Sequence, residues 1–123
     1  MQNRRISTQH IIRALDKFVQ EIVLQKTHRD RWDLFGSVEA SGPQKFRIRL
    51  AVETCLKNGG VEKLLQTLLH ELLHIYDWDL TENDIETLSA SIWKSRSYYL
   101  KYRLALAVLE ASLLKYLHVG RGR

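Results

Sequence analysis

Apolar and polar positions recur along this chain with two different periods, and the periods divide it into elements. Over residues 7–28, Ile11, Ile12, Leu15, Phe18, Val19, Ile22 and Val23 keep helical spacing, which predicts an amphipathic helix with Ser7 as its cap. His10 and His28 fall at its two ends as surface residues. Period two follows: Trp32, Leu34 and Val38 share one side of a first run, and Phe46, Ile48, Leu50 and Val52 share one side of a second, with Arg47 and Arg49 opposite. Ser41, Gly42, Pro43 and Gln44 between them are turn chemistry, so the two runs predict an antiparallel hairpin with one apolar face. Lys57, Asn58, Gly59 and Gly60 break the chain.

Helical period returns at Val61. There Val61, Leu64, Leu65, Leu68, Leu69, Leu72, Ile75 and Tyr76 form a broad apolar face, while Lys63, Gln66, Thr67, His70, His74 and Asp77 occupy the opposite stripe. Thr81 and Asp84 resemble a capping box, so a second helix should start at Glu82 after a tight turn and bury Ile85, Leu88 and Ile92. Residues 104–117 are apolar nearly all round except for Glu110, Ser112 and Lys115. Such a helix is either central to the core or covered by a partner such as a second copy, which makes a homodimer through the C-terminal helix an expectation. Residues 118–123 read as a disordered basic tail. The whole predicts an α+β fold in one domain spanning 1–123: an N-terminal helix, a small antiparallel sheet, a central helix and one or two C-terminal helices.

Composition narrows the picture. A chain of 123 residues that is 45% hydrophobic can bury one small core. The N-terminus leads into no long apolar segment, so neither a signal peptide nor a membrane anchor is expected. The single cysteine, Cys55, excludes an internal disulfide, fits a reducing, cytoplasmic compartment and reads as a small buried residue rather than a nucleophile. Net charge is +5, which favours encounter with acidic partners. Lys94, Arg96, Lys101 and Arg103 interleave with Tyr98, Tyr99 and Tyr102, a pattern that can track nucleic acid but also describes a helix with an aromatic inner side and a charged outer side. There is no glycine-rich phosphate loop and no Cys/His finger spacing.

Chemistry enters with His70-Glu71-Leu72-Leu73-His74. On a helix, residues four apart lie one above the other, so His70 and His74 can close on a single ion. Glu71 sits where a carboxylate can take a proton from water on that ion without itself being a ligand. A zinc site that keeps a water needs a third protein ligand. Glu82 is the first candidate and Glu86 the second, because both open the next helix; Asp77, one turn after His74, is placed to orient an imidazole.

The segment LLHELLHIYDWDLTENDIETLSASIW, residues 68–93, resembles the metal-binding core of small phage and bacterial gluzincin-type metallopeptidases, the ImmA/IrrE-like group. The resemblance implies a minimal zincin-like domain, Zn²⁺ held by His70, His74 and Glu82, and Glu71 as the catalytic glutamate. It further implies hydrolysis of a peptide bond in a specific regulatory protein, a substrate backbone received along a sheet edge, and action in the host cytoplasm if phage-encoded. The chain departs from the group in its short turn between the two helices and in Ile85 and Leu88, which stand where alanine and phenylalanine are common. An oxyanion donor besides zinc would come from Tyr76, Tyr98, Tyr99, Tyr102 or His118. The alternative reading is a basic module binding nucleic acid or a regulator, with a structural or non-catalytic zinc; a metal-free helical interaction protein is the third.

Overall fold

The computed structural model describes residues 6–27, 34–95 and 97–121, with side chains placed as far as Lys115. In chain order the elements are α1 (Thr8–Phe18), β1 (Val19–Gln25), β2 (Gly36–Gly42), β3 (Lys45–Ala51), α2 (Val52–Lys57), α3 (Gly60–Tyr76), α4 (Glu82–Lys94) and α5 (Tyr98–Arg121). The architecture is the expected α+β one, a three-stranded sheet among five helices. No described helix is long and apolar enough to cross a membrane.

The first helix is shorter than its periodicity predicts. Ser7 does cap it: Ser7 Oγ accepts from the His10 N–H, and His10 Nδ1 accepts in return from the Ser7 N–H. The helix ends at Phe18, and the rest of the apolar run becomes β1. Val19, Ile22 and Val23 keep helical spacing, but their β-branched side chains also fit a pleated surface well, and the run Ile22-Val23-Leu24 suits a strand covered on both faces. The tie is broken at long range, because β1 finds a parallel partner in β3 with Ile22 opposite Ile48 and Leu24 opposite Leu50.

The hairpin forms as β2 and β3, antiparallel, with Val38 opposite Ile48 and Gln44 in the turn at a φ of 55°. The sheet is therefore mixed rather than antiparallel throughout, in the order β1-β3-β2. Ile48 and Leu50 are buried on the core side, while on the other side Arg47 bonds Glu21 and Glu39, and Arg49 bonds Glu39. Those two arginines are thus satisfied within the chain. Val52, read as the end of β3, instead opens the short helix α2. Gly60 follows with a φ of +75°, a left-handed conformation that a side chain would strain, and so resets the chain direction for α3.

Helix α3 is the hub, packing against α1, α2, α4, α5, β2 and β3. Leu64, Leu68, Leu69, Leu72, Leu73 and Ile75 are buried on it, a wider arc than one apolar stripe, because neighbours cover several of its sides. Each such leucine contributes roughly 1.5–3 kcal/mol on burial. Val61 and Tyr76, assigned to the same face, lie at the ends of α3 and stay 62% and 38% exposed. Helix α5 buries Leu100, Leu104 and Ala111, and its backbone continues to Arg121, into the stretch expected to be a disordered tail. His28, Trp32, Arg96 and residues 122–123 lie outside the described residues, as does the His118 side chain.

Candidate metal centre

Local chemistry places His70 and His74 on α3; the turn after it delivers the third group. The Asp77 N–H closes α3 on Leu73 O at 3.0 Å, Asp77 Oδ1 accepts from the Asp79 N–H at 3.1 Å, and the Leu80 N–H bonds Asp77 O at 3.2 Å. Asp77 therefore shapes the turn. Thr81 then caps α4, accepting from the Asp84 N–H at 3.1 Å and donating its own N–H to the Asp84 carboxylate at 3.3 Å. At the far end, the Trp93 indole N–H donates to Glu62 at 2.7 Å and ties the close of α4 to the start of α3. The two helices run back along each other, and Glu82 opens α4 beside the histidines.

Glu82 bridges both rings. Its Oε2 is 3.1 Å from His70 Nε2 and its Oε1 is 2.7 Å from His74 Nε2, with the two ring centroids 5.0 Å apart. Among the described residues, these three form the group whose ligand atoms all lie within 4.8 Å of one another. Donors at ordinary zinc bond lengths on neighbouring corners of a tetrahedron stand roughly 3.3 Å apart, and the Glu82 carboxylate already lies inside that spacing from each ring nitrogen. Both histidines present Nε2, and the carboxylate is the third donor type such sites use.

Glu71 is placed differently from these three. It is only 6% exposed and borders the cleft without belonging to the ligand group. Burial, with the negative charge of Glu82 adding to it, pushes its carboxyl up to about 8. Burial also holds His70 below its ordinary value despite the opposing pull of Glu82 and Glu86, so its imidazole is neutral at pH 7, the form a metal takes. Glu86 Oε1 stands 4.0 Å from His70 Nδ1, the ring nitrogen turned away from Glu82. It is thus a neighbour of the far side of His70 rather than a member of the ligand group.

The centre opens into a cleft of about 700 Å³ between α3, α4 and β2. Gly36, Ser37 and Val38 of the edge strand β2 form one wall, and Gln66, Trp78 and Trp93 line it further. Trp78 meets His74 edge-on at 6.5 Å and stacks on Phe46 at 5.6 Å, joining the centre to the hairpin. Sequence reasoning passed over Trp78. Its spacing of four from His74 was the available signal, and the end of α3 at Tyr76 obscured it.

The tyrosines offered as oxyanion donors, Tyr76, Tyr98, Tyr99 and Tyr102, do not line this cleft. Tyr76 stacks on His10 with centroids 5.5 Å apart, and the other three are exposed on α5. In the basic stretch, Arg103 pairs with Asp16 and Lys101 lies over the Trp93 ring.

Compared with known proteins, the chain matches no family model, and no curated protein or solved structure gives a significant match.

Proposed function

We propose that the protein is a zinc-dependent peptidase, hydrolysing a peptide bond in a protein or peptide substrate. The observation that carries the proposal is Glu82, brought by the turn after α3 to within 3.1 Å and 2.7 Å of the two histidine Nε2 atoms. A site needed only for structure closes with four protein ligands. Here the described residues supply three, facing a cleft, with the Glu71 carboxylate alongside.

His70, His74 and Glu82 would hold Zn²⁺. The ion would supply Lewis acidity and an acidified water near neutral pH. Glu71, buried at the edge of the cleft and outside the ligand group, would serve as the proton carrier between such a water and the leaving amine. The charge of a bound cation would oppose the burial and the Glu82 charge that hold its carboxyl up, and so favour the carboxylate that takes the proton. Gly36, Ser37 and Val38 offer backbone along the cleft wall, so an extended peptide can lie against β2 as an added strand. Trp78 and Val38 give that peptide an apolar bed beside His74. The resemblance of residues 68–93 to gluzincin-type peptidases points the same way. The reading as a basic nucleic-acid module has less support, because Arg47, Arg49, Lys101 and Arg103 are engaged within the chain.

The test is elemental analysis of the untagged protein beside His74→Ala. About one zinc per chain in the parent, lost in the variant, is expected. No zinc in the parent after zinc is added back overturns the proposal.

A further inference from the structure

Helix α5 carries two apolar faces, and the fold uses one. Leu100, Leu104 and Ala111 are buried against the body of the domain, with Ala107 and Val108 packed beside them. On the other side Tyr99 and Tyr102 are each 59% exposed, and Leu109 and Leu113 each 54%. With half-buried Leu106 between them, the outward residues are 99, 102, 106, 109 and 113. Their spacing alternates three and four, the seam of a two-helix coil, and exposed Tyr98 and Leu114 flank it. In sequence, Tyr116 continues it.

We infer that α5 pairs with α5 of a second copy of this chain, antiparallel, along this seam. The seam reads the same in both directions, so a two-fold axis between Leu106 and Leu109 sets Leu106 against the partner copy's leucine at 109, and Tyr102 against the leucine at 113. Charge selects the direction. Arg103 and Glu110 flank the seam on the same side, and antiparallel pairing brings each near its opposite on the partner copy, whereas parallel pairing puts them on opposite sides of the interface, facing uncharged residues. Arg103 already bonds Asp16 and Tyr99 in its own chain, so it contributes direction rather than a new bond. The exposed part of these side chains amounts to roughly 500 Å² of apolar surface per copy, which puts a pair at the lower end of specific interfaces, about 1,000–1,200 Å² in total. A patch of that size falls within the range of the largest apolar patch on a monomer, about 300–600 Å², which is often functional. The metal cleft opens between α3, α4 and β2 and contains none of the seam residues, so pairing leaves it accessible.

Sedimentation equilibrium over roughly 1–200 µM tests this. The expected result is a species of twice 14.4 kDa in the parent and a monomer in Leu109→Asp/Leu113→Asp, with unchanged circular dichroism because both positions are exposed. Direction is read by disulfide trapping: mixing Tyr102→Cys with Leu113→Cys chains should give predominantly mixed dimers. A monomeric parent across the range overturns the inference. So does a parent dimer that Leu109→Asp/Leu113→Asp leaves intact, a Tyr102→Cys chain that traps chiefly with itself, or a seam whose substitution abolishes only salt-dependent nucleic-acid binding by a monomer.

Discussion

Gly36 is the point where the cleft wall touches α3, the helix that carries His70 and His74. A Cβ built there would stand 2.8 Å from Thr67 Cγ2, 2.9 Å from Arg49 O and 3.4 Å from Leu50 Cδ2. Gly36→Ala therefore forces two overlaps of different kinds. The methyl of Thr67 belongs to a buried side chain whose hydroxyl donates to Lys63 O at 2.8 Å, and it can yield only by moving α3. The carbonyl of Arg49 is fixed in the β2–β3 ladder, where Gly36 lies opposite Leu50 and Ser37 opposite Arg49. Overpacking of this kind costs about 1–3 kcal/mol. For a domain of 123 residues the unfolding entropy is about 0.26 kcal/mol/K, so the midpoint should fall by about 4–12 °C. Thr67→Ser removes the methyl and keeps the hydroxyl bond, at a cost of about 1 kcal/mol on its own. In the double variant the two changes should compensate by about 1 kcal/mol, with a remainder owed to Arg49 O. Thermal unfolding of the zinc-free parent, both single variants and the double variant reads the cycle. A Gly36→Ala cost below about 0.5 kcal/mol, or strict additivity in the double, refutes the close approach of β2 to α3 as drawn.

Glu71→Gln should retain about one zinc per chain by elemental analysis while peptide hydrolysis falls by about 10²–10⁴-fold; loss of the metal would make Glu71 a ligand. Glu82→Ala should weaken zinc far more than Glu86→Ala, for which a loss of up to about 10-fold is expected in competition with a chelating dye; the reverse order would make Glu86 the third donor. Zinc at about 1,000 times its dissociation constant should stabilise the parent by about 4 kcal/mol, removable with a chelator and absent in His74→Ala; an equal midpoint shift in both proteins would place the ion elsewhere.

Much of the placement of the candidate site residues was legible along the chain because it follows short-range rules. The four-residue spacing of His70 and His74, the Thr81–Asp84 cap that starts α4 at Glu82, and the glycine break before α3 are each decided within a turn or two of helix. The choice of Glu82 over Glu86 drew on the resemblance of residues 68–93 as well. Sequence alone also determined the polarity of β3, with Ile48 and Leu50 inward and Arg47 and Arg49 outward, because period two admits only two faces.

Tertiary structure decided the rest. The stretch from Val19 to Val23 suits helix and strand alike, and only its pairing with a strand more than twenty residues away made it β1 and the sheet mixed. Glu71 and His70 are neighbours in sequence, yet Glu71 is nearly buried while His70 reaches Glu82, a difference set by which elements pack around α3. Trp78 joined the cleft through Phe46, a residue more than thirty positions away in the hairpin. Local patterns state which residues can share a face, whereas burial and reach depend on what lies across from that face. That is a sum over long-range contacts, and no window of neighbouring residues contains it.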